Sequence, residues 1–190
     1  KAVVVVDCVA DELMTEFTKN GAFWVNNASD IAKLKQAVLT DKGVNKDYIG
    51  KSPRTILEGA GISVSGEPRL VVVEVAKDDP LMLREQLMPV LPVARASDFD
   101  DALQTALMVE GGCLHTAAMH SQNVSRLNKA AKAMRTSIFV KNGPTYAGIG
   151  VGSDGFTTFT IATPTGEGTT SARSFARSRR CVLNDAFNIR

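Results

Sequence analysis

The sequence predicts an α/β fold built around a mostly parallel sheet. Short β-branched or apolar runs alternate with amphipathic stretches along most of the chain. The helical stretches open at capping residues or prolines, at Asp7, Ser29, Ser52-Pro53 and Asp79-Pro80. Residues 2–6 are apolar without interruption, as a strand covered on both faces requires. With 190 residues, 44% hydrophobic and 22% charged, the chain can bury a sizeable core, most simply as one domain.

Residues 2–6 form the first strand, and Asp7 is placed to cap a helix running to about Lys19, where Asn20-Gly21 stops it. A short strand at 22–25 precedes a helix over 30–39 capped by Ser29. Ser52-Pro53 opens another helix that ends at Gly59. Residues 69–75 are the next strand, and Asp79-Pro80 starts a helical turn through Gln86. Residues 90–95 return as a strand before a helix at 98–109. A strand at 113–119, a helix at 123–134 and a strand at 137–140 complete the series. A sheet of this kind receives ligands outside the carboxyl ends of its strands. Lys1 stands directly ahead of a buried-looking strand with no lead-in, so the chain is expected to be the C-terminal piece of a longer polypeptide.

Composition narrows the partners. A net charge of +2 carries no nucleic-acid footprint, and Arg173, Arg177, Arg179 and Arg180 read as a solvated helix face in preference to an anion site. The opening apolar run is too short to span a membrane and lacks a signal-peptide cleavage pattern. Cys8, Cys113 and Cys181 are odd in number, widely spaced and without a C-x-x-C pair, which predicts neither a disulfide framework nor a zinc site and fits a reducing cytoplasm.

Residues 141–173 are dense in glycine and threonine with few charges, the composition of a loop that lines a ligand. Within it, Gly150-x-Gly152-x-x-Gly155 matches the dinucleotide fingerprint by letter. The run Phe156-Thr157-Thr158-Phe159-Thr160-Ile161 that follows is a poor helix former, so the context the fingerprint needs is missing. Gly50-Lys51-Ser52 fails as a phosphate loop because Asn45 sits where its first glycine belongs. Cys8 opens a helix beside Asp7, whose charge opposes a thiolate, and reads as structural. His115 and His120 share a predicted strand at odd spacing, which sends them to opposite faces and argues against one shared metal. Spacing alone favours an ordinary core or surface histidine at position 115 over an acid–base group.

The segment from Arg84 to Val93, REQLMPVLPV, followed by Asp98-Phe99-Asp100-Asp101-Ala102, resembles the E-x-F-G-P-V-x-P-V segment of the aldehyde dehydrogenase superfamily. Gly112-x-x-His115-Thr116, the run TSIFVKNGP at 136–144 and the run TIATPTGEGTTSAR at 160–173 are similar to its CoA-acylating branch, especially the propionaldehyde dehydrogenases of bacterial microcompartments. Together the matches span essentially the whole chain.

The resemblance implies an open, twisted, three-layer sheet, with residues 1–190 as the catalytic domain and C-terminal tail of a longer enzyme whose NAD-binding domain lies elsewhere. It implies oxidation of a short aliphatic aldehyde with NAD through a cysteine thioester, and transfer of the acyl group to coenzyme A. The family's nucleophile belongs to a C-I-A-E-like segment just ahead of the first strand, upstream of Lys1, and none of the three cysteines here matches it. The 190 residues alone are then expected to be inactive. Glu85 matches the glutamate that holds a cofactor ribose, and His115 the active-site histidine of the acylating branch. Thr163, Pro164, Thr165 and Gly166 match the loop facing substrate and acyl thioester. Leu87 and Met88 stand where the superfamily has an aromatic residue and a glycine, a departure that bears on cofactor stacking.

The same resemblance implies a homo-oligomer in the cytoplasm or a microcompartment lumen with the microcompartment shell as a partner, while charge, run length and the His and Cys spacing point to no nucleic-acid, membrane or metal partner. Two other readings are a non-catalytic oligomerisation or interaction module derived from the fold, and a hydrolytic aldehyde dehydrogenase releasing a free acid.

Overall fold

Strands buried on both faces dominate the first part of the chain in a computed structural model that describes residues 1–154, 157–158, 160–163, 168–182 and 184. The chain forms two compact units, Lys1–Gly112 and Cys113–Arg190. In the first, β1 (Val3–Val6), β2 (Ala22–Val25), β5 (Leu70–Glu74) and β6 (Val90–Ala96) make a four-stranded parallel sheet in the order β1-β6-β5-β2. A two-residue hairpin, β3 (Leu39–Thr40) with β4 (Gly43–Val44), is the one small antiparallel element of this unit and is too short to leave a sequence signal.

Parallel strands need cover on both sides, and the side chains divide accordingly. On one face Val5, Val72 and Val93 pack with Ala10 and Met14 of α1 (Asp7–Lys19). On the other, Val25, Val71, Val73 and Val90 pack with Leu34 and Val38 of α2 (Ala28–Val38), Ile56 and Leu57 of α3 (Pro53–Gly59) and Leu81 of α4 (Pro80–Leu83). Helix, sheet and helix are the three layers expected. Each fully buried valine or leucine contributes about 1.5–3 kcal/mol before entropy is counted.

Helix starts follow the capping residues with two corrections. Ser52, Asp79 and Asp98 accept from the backbone amides of Thr55, Leu81 and Asp101, starting α3, α4 and α5 (Phe99–Glu110). Asn27, not Ser29, caps α2, accepting from Asp30 N at 2.9 Å, because the helix starts two residues earlier than its serine suggests. Asp7 is the first helical residue of α1 and makes no cap bond.

Asp7 is held instead by Arg95 at the carboxyl end of β6. That guanidinium pairs with Glu74 at 2.8 Å, Asp11 at 2.5 Å and Asp7 at 3.0 Å, and the three carboxylates, Glu74 foremost, raise its pKa further. Nearby, Asp101 accepts from Lys77 Nζ at 2.5 Å and from Ser97 N at 2.8 Å. The Lys77 ammonium and then the Ser97 amide pull the Asp101 carboxyl down to about 2. The carboxyl edge of the sheet is thus filled by ion pairs.

In the second unit, β7 (Thr116–Met119) and β8 (Ile138–Lys141) run parallel, and α6 (Val124–Met134) connects them. Asn123 caps α6 through Arg126 N at 3.0 Å. β7 begins three residues later than expected, so His115 precedes it and His120 follows it, and strand alternation does not govern the pair. A 3-10 turn at Thr145–Ile149 follows β8, with Gly150 as its left-handed cap. The first glycine of the apparent dinucleotide fingerprint therefore ends a short turn, and Gly155 lies outside the described residues. Arg173 sits in a 3-10 turn, Ala172–Phe175, and Arg177, Arg179 and Arg180 lie in irregular, exposed chain, so they do not form a helix face. Among the described residues no helix is long and apolar enough to cross a membrane.

Two predictions follow from this packing. A Cβ on Gly59 would lie 2.2 Å from the Tyr48 hydroxyl, and Tyr48 packs against the core, so Gly59→Ala should destabilise by about 1–3 kcal/mol in denaturant unfolding. An unchanged midpoint would show that Tyr48 swings aside freely. Because Asp101's folded pKa lies below its unfolded value of 3.8, its contribution is complete above about pH 4 and is lost as the pH falls towards about 2. Asp101→Asn should flatten the fall in stability across that window, and a slope identical to that of the unsubstituted protein would contradict the assignment.

Candidate active site

The candidate site in the first unit is the loop between α4 and β6. The reading of a helical turn through Gln86 is corrected here: α4 ends at Leu83, and Arg84 leaves it in an extended conformation. A one-turn helix has little cooperativity to carry it onward, and Gln86 turns inward to bond the backbone behind it. Its Nε2 donates to Leu81 O and, at 2.7 Å, to Arg84 O. Glu85 is exposed, Gln86 and Met88 are buried, and Leu87 is 56% exposed with φ 52°. A leucine in the left-handed region is strained by about 1–2 kcal/mol, a state that persists where neighbours fix it. Gly50 N donates to Leu87 O at 3.2 Å and so pins the loop from the far side.

Lys1 reaches this loop. Its Nζ donates to Met88 O at 2.5 Å and feels the Glu85 carboxylate, while partial desolvation by its surroundings lowers the ammonium's pKa. Both Lys1 and Glu85 stand ahead of their strands, β1 and β6, which are hydrogen-bonded neighbours. The expectation of a ligand site at the carboxyl ends is therefore not where Glu85 lies: it lies at the amino edge, and the opposite edge holds the Arg95 and Asp101 ion pairs. In dinucleotide sheets a phosphate loop leaving a strand's carboxyl end draws the ligand there, and among the described residues no such loop leaves a strand of this sheet.

In the second unit His115 is exposed, and its Nδ1 lies 2.7 Å from Thr116 Oγ1, a contact that orients the ring. Leu114, just before it, is 45% exposed at φ 52°. Its carbonyl accepts from both Ser137 N at 2.9 Å and Ser137 Oγ at 3.1 Å, and Ile138 N donates to His115 O at 3.2 Å. Ser137 thus holds the strained residue that delivers His115. The match singled out His115 and passed over Ser137, although a serine at a strand start offers two donors at one position.

The threonine-glycine segment returns to the same serine. Thr170 N donates to Thr160 O at 3.2 Å, closing a loop, and Thr158 Oγ1 donates to the same carbonyl at 3.3 Å. At Gly168 a Cβ would lie 2.5 Å from both Ser137 Oγ and Ile161 O, so only glycine allows this approach. Thr163 is half-buried and has an interaction partner, whereas Pro164, Thr165 and Gly166 lie outside the described residues. The structure brings Lys1 to Glu85, and separately brings Gly168 to Ser137, which bonds the residue before His115. Cys8, Cys113 and Cys181 are free and exposed, and among the described residues no three His, Cys, Asp or Glu groups are placed to hold a metal ion.

Glu85 in the first unit is an exposed carboxylate, and His115 in the second is an exposed imidazole beside a hydroxyl. The aldehyde dehydrogenase family model matches residues 25–156. The chain is 60% identical over 191 residues to the CoA-propanoylating propanal dehydrogenase of Citrobacter freundii, covering all of this chain and 41% of that protein. It is 48% identical over 196 residues to the acetylating acetaldehyde dehydrogenase EutE of Escherichia coli, covering 42% of that protein. Among solved structures it resembles a propionaldehyde dehydrogenase from the fucose utilisation microcompartment of Clostridium phytofermentans, with 45% identity and a TM-score of 0.90 over all of this chain and 44% of that one. It also resembles Rhodopseudomonas palustris propionaldehyde dehydrogenase with bound propionyl-CoA, with 45% identity and a TM-score of 0.91 over 96% of this chain and 41% of that one. The chain spans about two fifths of the length of the curated relatives it matches. The layered parallel sheet is that of an aldehyde dehydrogenase catalytic domain, and the chain belongs to the aldehyde dehydrogenase family.

Proposed function

We propose that these 190 residues are the catalytic-domain part of a CoA-acylating aldehyde dehydrogenase that oxidises a short aliphatic aldehyde such as propanal to its acyl-CoA. The observation that carries this reading is the 60% identity, over the whole chain, to an enzyme whose product is the CoA ester. A further support is a neighbour solved with bound CoA and an acylated cysteine. The microcompartment origin of another neighbour supports action inside such a compartment.

The residues present fit this chemistry. Glu85 is an exposed, acceptor-only carboxylate, suited to the paired hydroxyls of a ribose. Lys1 lies against Met88 and interacts with Glu85, which supports a nucleophile carried on the segment ahead of β1 and close to that carboxylate. NAD bound by Glu85 would supply the hydride acceptor, and CoA would supply the thiol that takes the acyl group. His115 is the group we assign to the proton of the attacking CoA thiol, and the contact of its Nδ1 with the Thr116 hydroxyl supports a held imidazole there. Ser137 holds Leu114 and so the direction from which the imidazole approaches. The resemblance assigns Thr163, Pro164, Thr165 and Gly166 to the acyl side of the site, and Gly168 approaches Ser137 closely.

The test is turnover by the full-length enzyme. Propanal, NAD and CoA should yield propanoyl-CoA and NADH in equal amounts, and the 190 residues alone should yield neither. Propanoate in place of propanoyl-CoA would reassign the chain to a hydrolytic enzyme. His115→Ala should lower kcat for acyl transfer about a hundredfold, with a smaller effect on NADH release in a single-turnover burst. Equal kcat in the two proteins would remove His115 from the proton path.

A further inference from the structure

Gln86 is 0% exposed, yet it carries an amide into the interior. Its Nε2 has two carbonyl partners, Leu81 O and Arg84 O, while its Oε1 is buried without a hydrogen-bond partner. A methionine or leucine would fill similar space and leave no unpaired oxygen. What the amide adds is directional. Leu81 O belongs to a one-turn helix, whose last carbonyls lack intrahelical partners, and Arg84 O is the last carbonyl before Glu85.

Two bonds converging on one nitrogen fix the turn from α4 into the loop. Glu85, between the anchored Arg84 carbonyl and the buried Gln86 side chain, is forced outward. The downstream half of the loop has its own ties, Gly50 N to Leu87 O and Lys1 Nζ to Met88 O. On the upstream side Arg84 N donates to Pro80 O and an Arg84 Nη1 donates to Thr40 O, and both of these bonds hold Arg84 and not the turn that follows it. We infer that Gln86 is a positioning residue that sets where the Glu85 carboxylate meets the dinucleotide cofactor, an inference that rests on reading Glu85 as the ribose-binding group.

The test uses the full-length enzyme with NAD, CoA and propanal. Gln86→Met keeps the volume and removes both donors. It should raise KM for NAD about tenfold while kcat and KM for CoA stay within about twofold, because only the cofactor carboxylate is displaced. Glu85→Ala should raise KM for NAD at least as much. If Glu85→Ala raises it and Gln86→Met does not, the positioning role is overturned and the reading of Glu85 stands. If Glu85→Ala leaves it unchanged, the reading of Glu85 falls and takes the inference with it. A fall in kcat with a parallel rise in both KM values marks a general packing role and also overturns the inference. Should Gln86→Met fail to fold, Gln86→Glu decides: its acid form restores one donor. Its KM for NAD must then approach that of the unsubstituted enzyme, compared at the same pH, as the pH is lowered, and no approach overturns the role.

Discussion

The demand of a parallel sheet for cover on both faces organises the first unit. Val71 and Val73 look one way and Val72 the other, so a single strand feeds two cores, one under α1 and one under α2, α3 and α4. Because β1 and β6 are neighbours in register, the segments that precede them emerge side by side. That adjacency brings Lys1 to the Glu85 loop across 87 positions of sequence. The site's location is thus a by-product of strand order, and strand order is what the two-sided burial stabilises.

The two edges of this sheet have different chemistry. At the carboxyl edge, Arg95 gathers three carboxylates and Asp101 is held by Lys77 and Ser97. Such exposed networks tie the start of α1 and the start of α5 to the strand ends, and solvent screening limits what each pair contributes. At the amino edge the loop carries an exposed carboxylate, a buried amide and a leucine at positive φ. Strain and a buried unpaired oxygen collect at that edge, as they do where position matters more than stability.

The second unit repeats the device in smaller form. Leu114 is another leucine at positive φ, and Ser137 spends two donors on its one carbonyl. The residue that follows it is the oriented His115, and the glycine that permits the returning loop to touch Ser137 is Gly168. In both units a candidate site residue lies within two positions of a leucine at positive φ whose carbonyl accepts from a donor distant in sequence. Membership of the aldehyde dehydrogenase family gives these placements a common context.

Much of this was legible in the residues. Runs of valine, the Ser52-Pro53 and Asp79-Pro80 starts and the stop at Asn20-Gly21 act through neighbours in sequence, so the strands and most helices could be read locally. Motifs likewise pointed to Glu85 and His115 as single residues. Less legible were features settled by distant partners. Asp7 serves Arg95 instead of a cap, α4 stops early because Gln86 turns inward, and the 39–44 hairpin is too short to leave a pattern. The sequence by itself determined the alternation of strand and helix and the chemical identity of the candidate groups, since propensity, capping and burial preference reside in each residue and its near neighbours. Only the tertiary structure decided that Glu85 stands at the amino edge beside Lys1 and that Ser137 and Gln86 hold the two candidate groups in place, because strand order and long-range hydrogen bonds depend on which distant segments meet.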